Sequence, residues 1–351
     1  MRLVLIGDGE SPHLLKWARA LSQEVDLWVA STRGFAPEFN FLVPAKQMLA
    51  LDTAPDHAGG NIALIKKLPQ LGAWLAKVQP DWLHAHYLTS AGTLAWIARR
   101  GWGLKCRIAG SAWGSDILVT PDQGRGYRWL TKKALSECDV LTSDSQHMAA
   151  RMRELGAKDV MVFPFGLEAL PKQGAKKEPW LFFANRGLEP IYRPHRVIEA
   201  FAAVAAVRPE ARLVVANDGS LRAAMVEQVK GLGLESRVTF TGRLVAATMA
   251  SHYARARWFL SLPESDSVAV SVLEAMSHEC VPILSELPAN RELIGDGAGQ
   301  GILLSEPSQL PAMLDGIDAE SAGRANRAWV IEHGLFPPAV QRFLARLREL
   351  S

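Results

Sequence analysis

Two carboxylates, Asp266 and Glu274, stand eight positions apart in the otherwise apolar run SDSVAVSVLEAM, residues 265–276. Burying an unpaired carboxylate is expensive, so either both acids face solvent or a polar partner comes to meet them. The LEAMS end favours a helix, and Ser265, Asp266 and Ser267 offer an N-cap. As one helix, the segment separates the two acids by about 12 Å along its axis and leaves them about 80° apart, on one broad face. That is longer than the roughly 5–9.5 Å between the carboxyls of a glycosidase. It suits an extended ligand with hydroxyls at both ends and phosphate in the middle, the phosphate meeting the N–H groups of the helix N-terminus.

Other residues of chemical interest are scattered along the chain. Gly7 and Gly9 flank a tight turn, and a lone G-x-G is weak evidence of more. His13 opens a helix, His84 and His86 alternate along an apolar run, and Trp113 and Asp116 lie in WGSD. Arg186 stands in NRG, at the end of the run WLFFANRG. Each has a plainer reading taken singly: a solvated N-cap for Asp266, a tight turn for the glycines, a surface ion pair for Arg186, packing for Trp113 and His84.

The elements that must position these groups repeat one grammar. RLVLIG reads as a buried strand and GDGES as a turn. SPHLLKWARAL reads as a helix with Ser11 as N-cap and Pro12 at its first position. VDLWVAS, DWLHAHY, KCRIAGSAWGSD and CDVLTSDS supply further strands, with helical patterns such as TSAGTLAWIARRG and YRWLTKKALSE between them. ALPKQGAKKEP, residues 169–179, is the best linker in the chain. The alternation then restarts through WLFFANRG, ARLVVANDGS, RVTFTGRL, ARWFLSLP and VPILSE. Strands alternating with helices imply doubly wound parallel sheets. The expectation is two Rossmann-like domains, 1–170 and 171–335, facing a central cleft, with the final segment 336–351 packing back on the first.

At 351 residues, 48% hydrophobic and 21% charged, the chain reads as globular with about two domains. A formal net charge of +3 permits an anionic ligand or membrane surface but is too weak to argue for nucleic acid. Three scattered cysteines, Cys106, Cys138 and Cys280, form no metal pattern and imply a reduced, cytoplasmic setting. No apolar run reaches bilayer-spanning length, and the N-terminus reads as a strand, where a signal peptide needs a longer apolar stretch. Eight of the 11 tryptophans fall in the first half. With the apolar stripe and lysines of residues 61–78, they raise interfacial contact with anionic lipid as a secondary reading.

From residue 180 to 305 the order of motifs resembles that of family-4 retaining glycosyltransferases of the GT-B fold. SDSVAVSVLE is similar to their E-x7-E signature, with Asp266 in place of the first Glu. NDGSLR resembles GDGPLR, TFTGRL their F-x-G-R turn, and VPILSELPANREL their PVI-x-S segment. HAHYLTSAG, WGSD and FPFGLE stand where that family has H-x-H, HGxD and PNGVD.

The resemblance implies a retaining transfer of a hexose-type sugar from a nucleotide diphosphate, UDP or GDP, to a glycan or polyprenyl- or other lipid-linked acceptor. The setting would be cell-surface polysaccharide or lipopolysaccharide synthesis at the inner face of the membrane. It implies no cofactor and no essential metal, and no DxD motif appears at a strand end. It assigns Glu274 to ribose hydroxyls, Asp266 to hydroxyls of the transferred sugar, and Arg186 to the diphosphate. The main-chain N–H groups of Ser267, Val268, Ala269 and Val270 would meet sugar and diphosphate. Gly9 would approach the phosphates and Arg243 lie beside the base. His13, His86, Trp113 and Asp116 would serve the acceptor. Where the family carries a Lys after its phosphate Arg, this chain has EPIYRPHR, so that Arg193, Arg196 or neither takes its place. Two other readings stand beside this one: a catalytically silent nucleotide-sugar-binding protein, and a Rossmann dehydrogenase. The last requires an acidic residue at the end of the second strand, where the chain reads VASTRG.

Overall fold

A computed structural model of the chain describes residues 1–53, 62–172, 175–295 and 299–351. Asn61, at the head of the stripe 61–78, and residues 173–174 of the expected linker lie outside the described residues. Two compact units emerge, residues 1–163 with 337–351, and residues 164–336. The first division falls ahead of the linker because the FGLE segment is stitched to the returning chain. Leu167 N–H donates to the Gly334 carbonyl at 2.8 Å, and Phe336 N–H donates to the Leu167 carbonyl at 2.8 Å.

In the first unit seven parallel strands form one sheet: β1 (Arg2–Gly7), β2 (Asp26–Ser31), β3 (Met48–Ala50), β4 (Trp82–His86), β5 (Arg107–Ser111), β6 (Val140–Ser143) and β7 (Val160–Val162). Their order is β3-β2-β1-β4-β5-β6-β7. All five residues of β4 are buried, as in a parallel strand covered on both faces. The helix Pro12–Leu21 starts as its sequence dictates, with the Ser11 hydroxyl accepting from His13 N–H. The helix Phe336–Leu350 supplies the last wall of this unit. Its Phe343 ring packs 5.2 Å from Trp17 and 4.8 Å from His84, and Trp82 Nε1–H donates to the Ser351 hydroxyl at 2.9 Å.

The second unit repeats the plan with six parallel strands: β8 (Glu178–Ala184), β9 (Arg212–Ala216), β10 (Val238–Gly242), β11 (Ala256–Ser261), β12 (Val281–Ser285) and β13 (Ile302–Leu304), ordered β10-β9-β8-β11-β12-β13. The winding direction reverses between β1 and β4 in one sheet and between β8 and β11 in the other. In such sheets a crevice opens at the reversal, beyond the carboxyl ends of the strands.

Two expectations are corrected. The helix of the motif segment runs only from Val270 to Ser277, with Ala269 as an N-cap that makes no side-chain bond. Asp266 therefore sits in the preceding loop, and the 12 Å spacing along one helix does not apply. Most of the first-half tryptophans are core or partly covered. Trp17 and Trp82 are fully buried, and only Trp102 and Trp129 are well exposed. Among the described residues no helix is long and apolar enough to cross a membrane.

Candidate functional site

In the second unit, the reversal between neighbouring strands β8 and β11 brings Arg186, two residues past β8, against Asp266, five residues past β11. Arg186 donates one N–H to Asp266 Oδ2 at 2.6 Å and another to the Ser271 hydroxyl at 3.2 Å. Its guanidinium lies over the Tyr192 ring, 4.5 Å from the centroid. A stacked, doubly bonded guanidinium has lost most of its rotamer freedom before any ligand arrives. Asp266 Oδ1 accepts from Ser267 N–H at 3.0 Å. Burial lifts the Asp266 carboxyl above its ordinary range, opposed by the charge of Arg186 and the Ser267 N–H.

Of the four main-chain N–H groups expected on sugar and diphosphate, that of Ser267 is thus engaged by its neighbour's carboxylate. Those of Val268, Ala269 and Val270 lead into the first turn of the helix Val270–Ser277, whose Val272 and Leu273 N–H groups both bond to the Ala269 carbonyl. Glu274, half-buried one turn further on, accepts from the Tyr253 hydroxyl at 2.8 Å, and that hydroxyl accepts from Asn185 Nδ2 at 2.7 Å. Burial, reinforced by the neighbouring Glu274 charge, pushes the Tyr253 phenol well above its ordinary range, so it stays a donor.

The surrounding loops interlock. Asn217 takes a left-handed conformation at φ 86°, and its N–H donates to the Gly242 carbonyl at 2.7 Å. Gly219 leaves room for the Leu188 carbonyl, which a Cβ there would meet at 2.4 Å. This binds NDGSLR to the loop that carries Arg186. Arg243 is exposed just past β10, at the same carboxyl edge. Neither substitute for the family's Lys joins the Arg186 cluster by a direct contact. Arg193 donates to the Pro263 carbonyl at 2.6 Å and so braces the loop before Asp266, while Arg196 donates to the Ser305 carbonyl.

In the first unit, the reversal between β1 and β4 gathers His13, His86, Trp113 and Tyr87. Trp113 Nε1–H donates to His86 Nδ1 at 3.1 Å, and the Trp113 ring lies 4.3 Å from His13 and 6.3 Å from Tyr87. Burial, then the nearby His84 and His13, holds the His86 imidazole well below its ordinary range. Being neutral and accepting at Nδ1, its proton sits on Nε2. His84, buried beside it, falls to about 3 and bonds through Nε2 to the Ser111 hydroxyl at 2.8 Å.

Asp116, assigned by resemblance to the acceptor, instead clamps its own loops. Its two oxygens accept from Leu88 N–H at 2.8 Å and Trp113 N–H at 2.9 Å, inside a site where burial raises its carboxyl to about 6. Gly9 likewise has a local reason, because a Cβ there would stand 2.6 Å from the Gly34 carbonyl. Ser31, at the end of β2, accepts the Gly9 N–H at 2.8 Å, where a dinucleotide-binding fold presents an acid to ribose.

Sequence reasoning missed Tyr253, Asn185, Tyr192 and Ser271. Asn185 and Ser271 neighbour residues already singled out. Tyr253 lies on another helix, 21 positions before Glu274, and no local pattern marks it. It also missed the turn of π-helix Tyr87–Gly92 closing β4, with Tyr87 at φ 68°. π-turns concentrate at functional sites.

Comparison with known proteins covers nearly the whole chain. The family model described as Glycosyl transferases group 1 matches residues 155–323, and that described as Glycosyl transferase 4-like matches residues 2–145. An N-acetyl-alpha-D-glucosaminyl L-malate synthase of Bacillus anthracis is 24% identical over 230 residues, 62% of this chain and 58% of that protein. An alpha-monoglucosyldiacylglycerol synthase of Streptococcus pneumoniae is 28% identical over 123 residues, 35% of this chain and 28% of that protein. The matches span less than two thirds of the length of either relative. Among solved structures, Anabaena Alr3699/HepE in complex with UDP superposes with a TM-score of 0.79 at 14% identity, covering 99% of this chain and 100% of that one. Sucrose-phosphate synthase of Thermosynechococcus elongatus does so at 0.78 and 16%, over 100% of both chains. At such identities the likeness establishes the fold.

Proposed function

We propose that this chain, which belongs to the group 1 glycosyltransferases and has the GT-B fold, is a retaining enzyme. It moves a sugar from a nucleoside diphosphate, UDP or GDP, to a glycan or lipid-linked acceptor, with no essential metal. The observation that carries the reading is the cluster of Arg186, Asp266 and Ser271 at the β8/β11 reversal, with Glu274 on the helix that follows.

In this mechanism the donor belongs to the second unit. Glu274, held by Tyr253, accepts from the two ribose hydroxyls. The diphosphate draws Arg186 from Asp266, which turns to hydroxyls of the sugar. As the glycosidic bond breaks, charge grows on the leaving phosphate. The Arg186 fork and the amides at the start of the helix Val270–Ser277 stabilise it where water would otherwise reorganise. No enzyme nucleophile is used. The departing phosphate helps deprotonate the acceptor on the same face, so the anomeric configuration is kept. The Anabaena neighbour was solved with UDP, which supports a UDP-linked donor. The diacylglycerol in the name of one relative supports a lipid acceptor. His13, His86 and Trp113 serve that acceptor.

Arg186→Ala should lower kcat about 10²–10³-fold, the scale of one lost charge-stabilising donor, measured as UDP or GDP release. Turnover should be unchanged by EDTA, and the product should keep the donor's anomeric configuration by NMR. Donor binding by calorimetry without any turnover would favour the silent-binder reading. Normal turnover in Arg186→Ala would sink the assigned role.

A further inference from the structure

The amino edge of the first sheet, at the opposite end of β4 from His86, holds a pocket of about 650 Å³. It lies between the end of the helix Leu68–Val78, the starts of β4 and β5, and the turn after the helix Thr93–Gly101. That volume falls within the ~300–1,000 Å³ typical of small-molecule sites. The five residues of β4 put about 17 Å between this edge and the carboxyl edge. All the lining residues lie in the first unit, and none belongs to the His13, His86 and Trp113 group.

Its walls carry polar groups that the fold does not use. Gln79 and Lys105 are exposed and, among the described residues, their side chains make no hydrogen bond or ion pair. Arg107 reaches Asp139 only loosely, at 4.0 Å. Asp81 is pinned through Oδ2, which accepts from Arg2 N–H at 2.6 Å, so its carboxylate is held in place with Oδ1 left for another donor. Trp102, 36% exposed, is seated flat. One face of its indole covers Gly72, where a Cβ would meet three atoms of the fused rings at 2.2–2.4 Å. The opposite face is the one left to line the pocket.

These groups narrow the ligand by exclusion. An apolar molecule would leave Asp81, Lys105 and Arg107 without bonds. An anion would meet the Asp81 carboxylate, and a cation would meet Lys105 and Arg107. A neutral polyol with a flat C–H face satisfies all of them. Its hydroxyls donate to Asp81, accept from Lys105 and Arg107, and do both with Gln79. Its C–H groups, faintly positive, rest on the negative face of the indole. We propose that the pocket is a saccharide-binding site, Trp102 stacking on a pyranose ring whose hydroxyls bond to Gln79, Asp81, Lys105 and Arg107. The site rests on its own geometry; that its occupant is a remote unit of the acceptor glycan rests on the transferase reading.

The full chain, with UDP added, is titrated in a calorimeter with maltotriose, cellotriose and chitotriose in turn, and at least one should bind. Trp102→Ala should weaken that binding about tenfold, the scale of a lost ring contact. Lys105→Met, on the exposed rim, should weaken it about tenfold through the lost hydrogen bond. Trp113→Ala, which removes the indole of the acceptor group, should leave it unchanged. Circular dichroism verifies that each variant is folded. No binding of any of the three sugars, a parent-like affinity in folded Trp102→Ala or Lys105→Met, or loss of binding in folded Trp113→Ala would overturn the proposal. An Arg186→Ala chain without turnover that still binds the trisaccharide leaves the pocket standing. Normal turnover in a chain that binds no trisaccharide strikes the pocket alone and leaves the transferase reading in place.

Discussion

Glu274 illustrates how one side chain's role depends on a partner far away in sequence. Its acceptor oxygen is oriented by the Tyr253 hydroxyl, itself fixed by Asn185. Tyr253→Phe removes that donor without changing the ring. Leaving a buried group without its bond costs about 1–3 kcal/mol, so donor KM should rise about tenfold or more while kcat moves much less. Equal losses in KM and kcat would place Tyr253 in the transition state rather than behind Glu274. Asp266 and Arg186 tell a parallel story. Their residue types were legible, but their 2.6 Å contact was not, because 80 residues separate them. Asp116 shows the limit of carrying over a role, since its loop position was legible and its two main-chain partners were not.

At the scale of elements, β4 carries two buried neutral histidines and abuts the loop clamped by Asp116, and these groups respond oppositely to acid. An imidazole whose folded value is depressed contributes stability above its unfolded value of 6.5, and that contribution is lost as pH falls towards about 3. Asp116, raised to about 6, contributes in the other direction as pH falls from 6 to 3.8. His84 alone withdraws on the order of 5 kcal/mol across its window, against about 3 kcal/mol from Asp116, and His86 adds to the loss. Urea unfolding followed by tryptophan fluorescence should therefore give a lower midpoint at pH 5 than at pH 7. A midpoint that rises would show the carboxylate dominating. The motif segment shows why element boundaries mislead: Val-rich 268–272 suits a helix or a strand, yet its first five residues, 265–269, lie outside the helix, where Asp266 meets Arg186 in a tertiary contact.

For the whole molecule, the decisive connection is the return of residues 337–351 to the first unit. Phe343, fully buried, contacts the rings of Trp17 and His84. Phe343→Ala should cost about 3–5 kcal/mol and lower the first unit's transition in calorimetry by about 10 °C. An unchanged transition would mean that the helix Phe336–Leu350 contributes little to that core. The same scale decides the tryptophans. Their crowding in the first half suggested a membrane face, yet packing against β1, β4 and Phe343 buries Trp17 and Trp82. Trp102 and Trp129 remain well exposed.

The sequence by itself determined two doubly wound parallel sheets, because continuous apolar runs alternating with helical periods leave a chain few other ways to cover both strand faces. It also marked Asp266 and Glu274 as residues that must find partners or solvent, since a charge in an apolar run needs one. Tertiary structure alone decided which partner each charge meets, where the motif helix begins, and that the first unit closes with the last helix. Those outcomes depend on contacts between residues tens to hundreds of positions apart, and side-chain periodicity carries no information at that range.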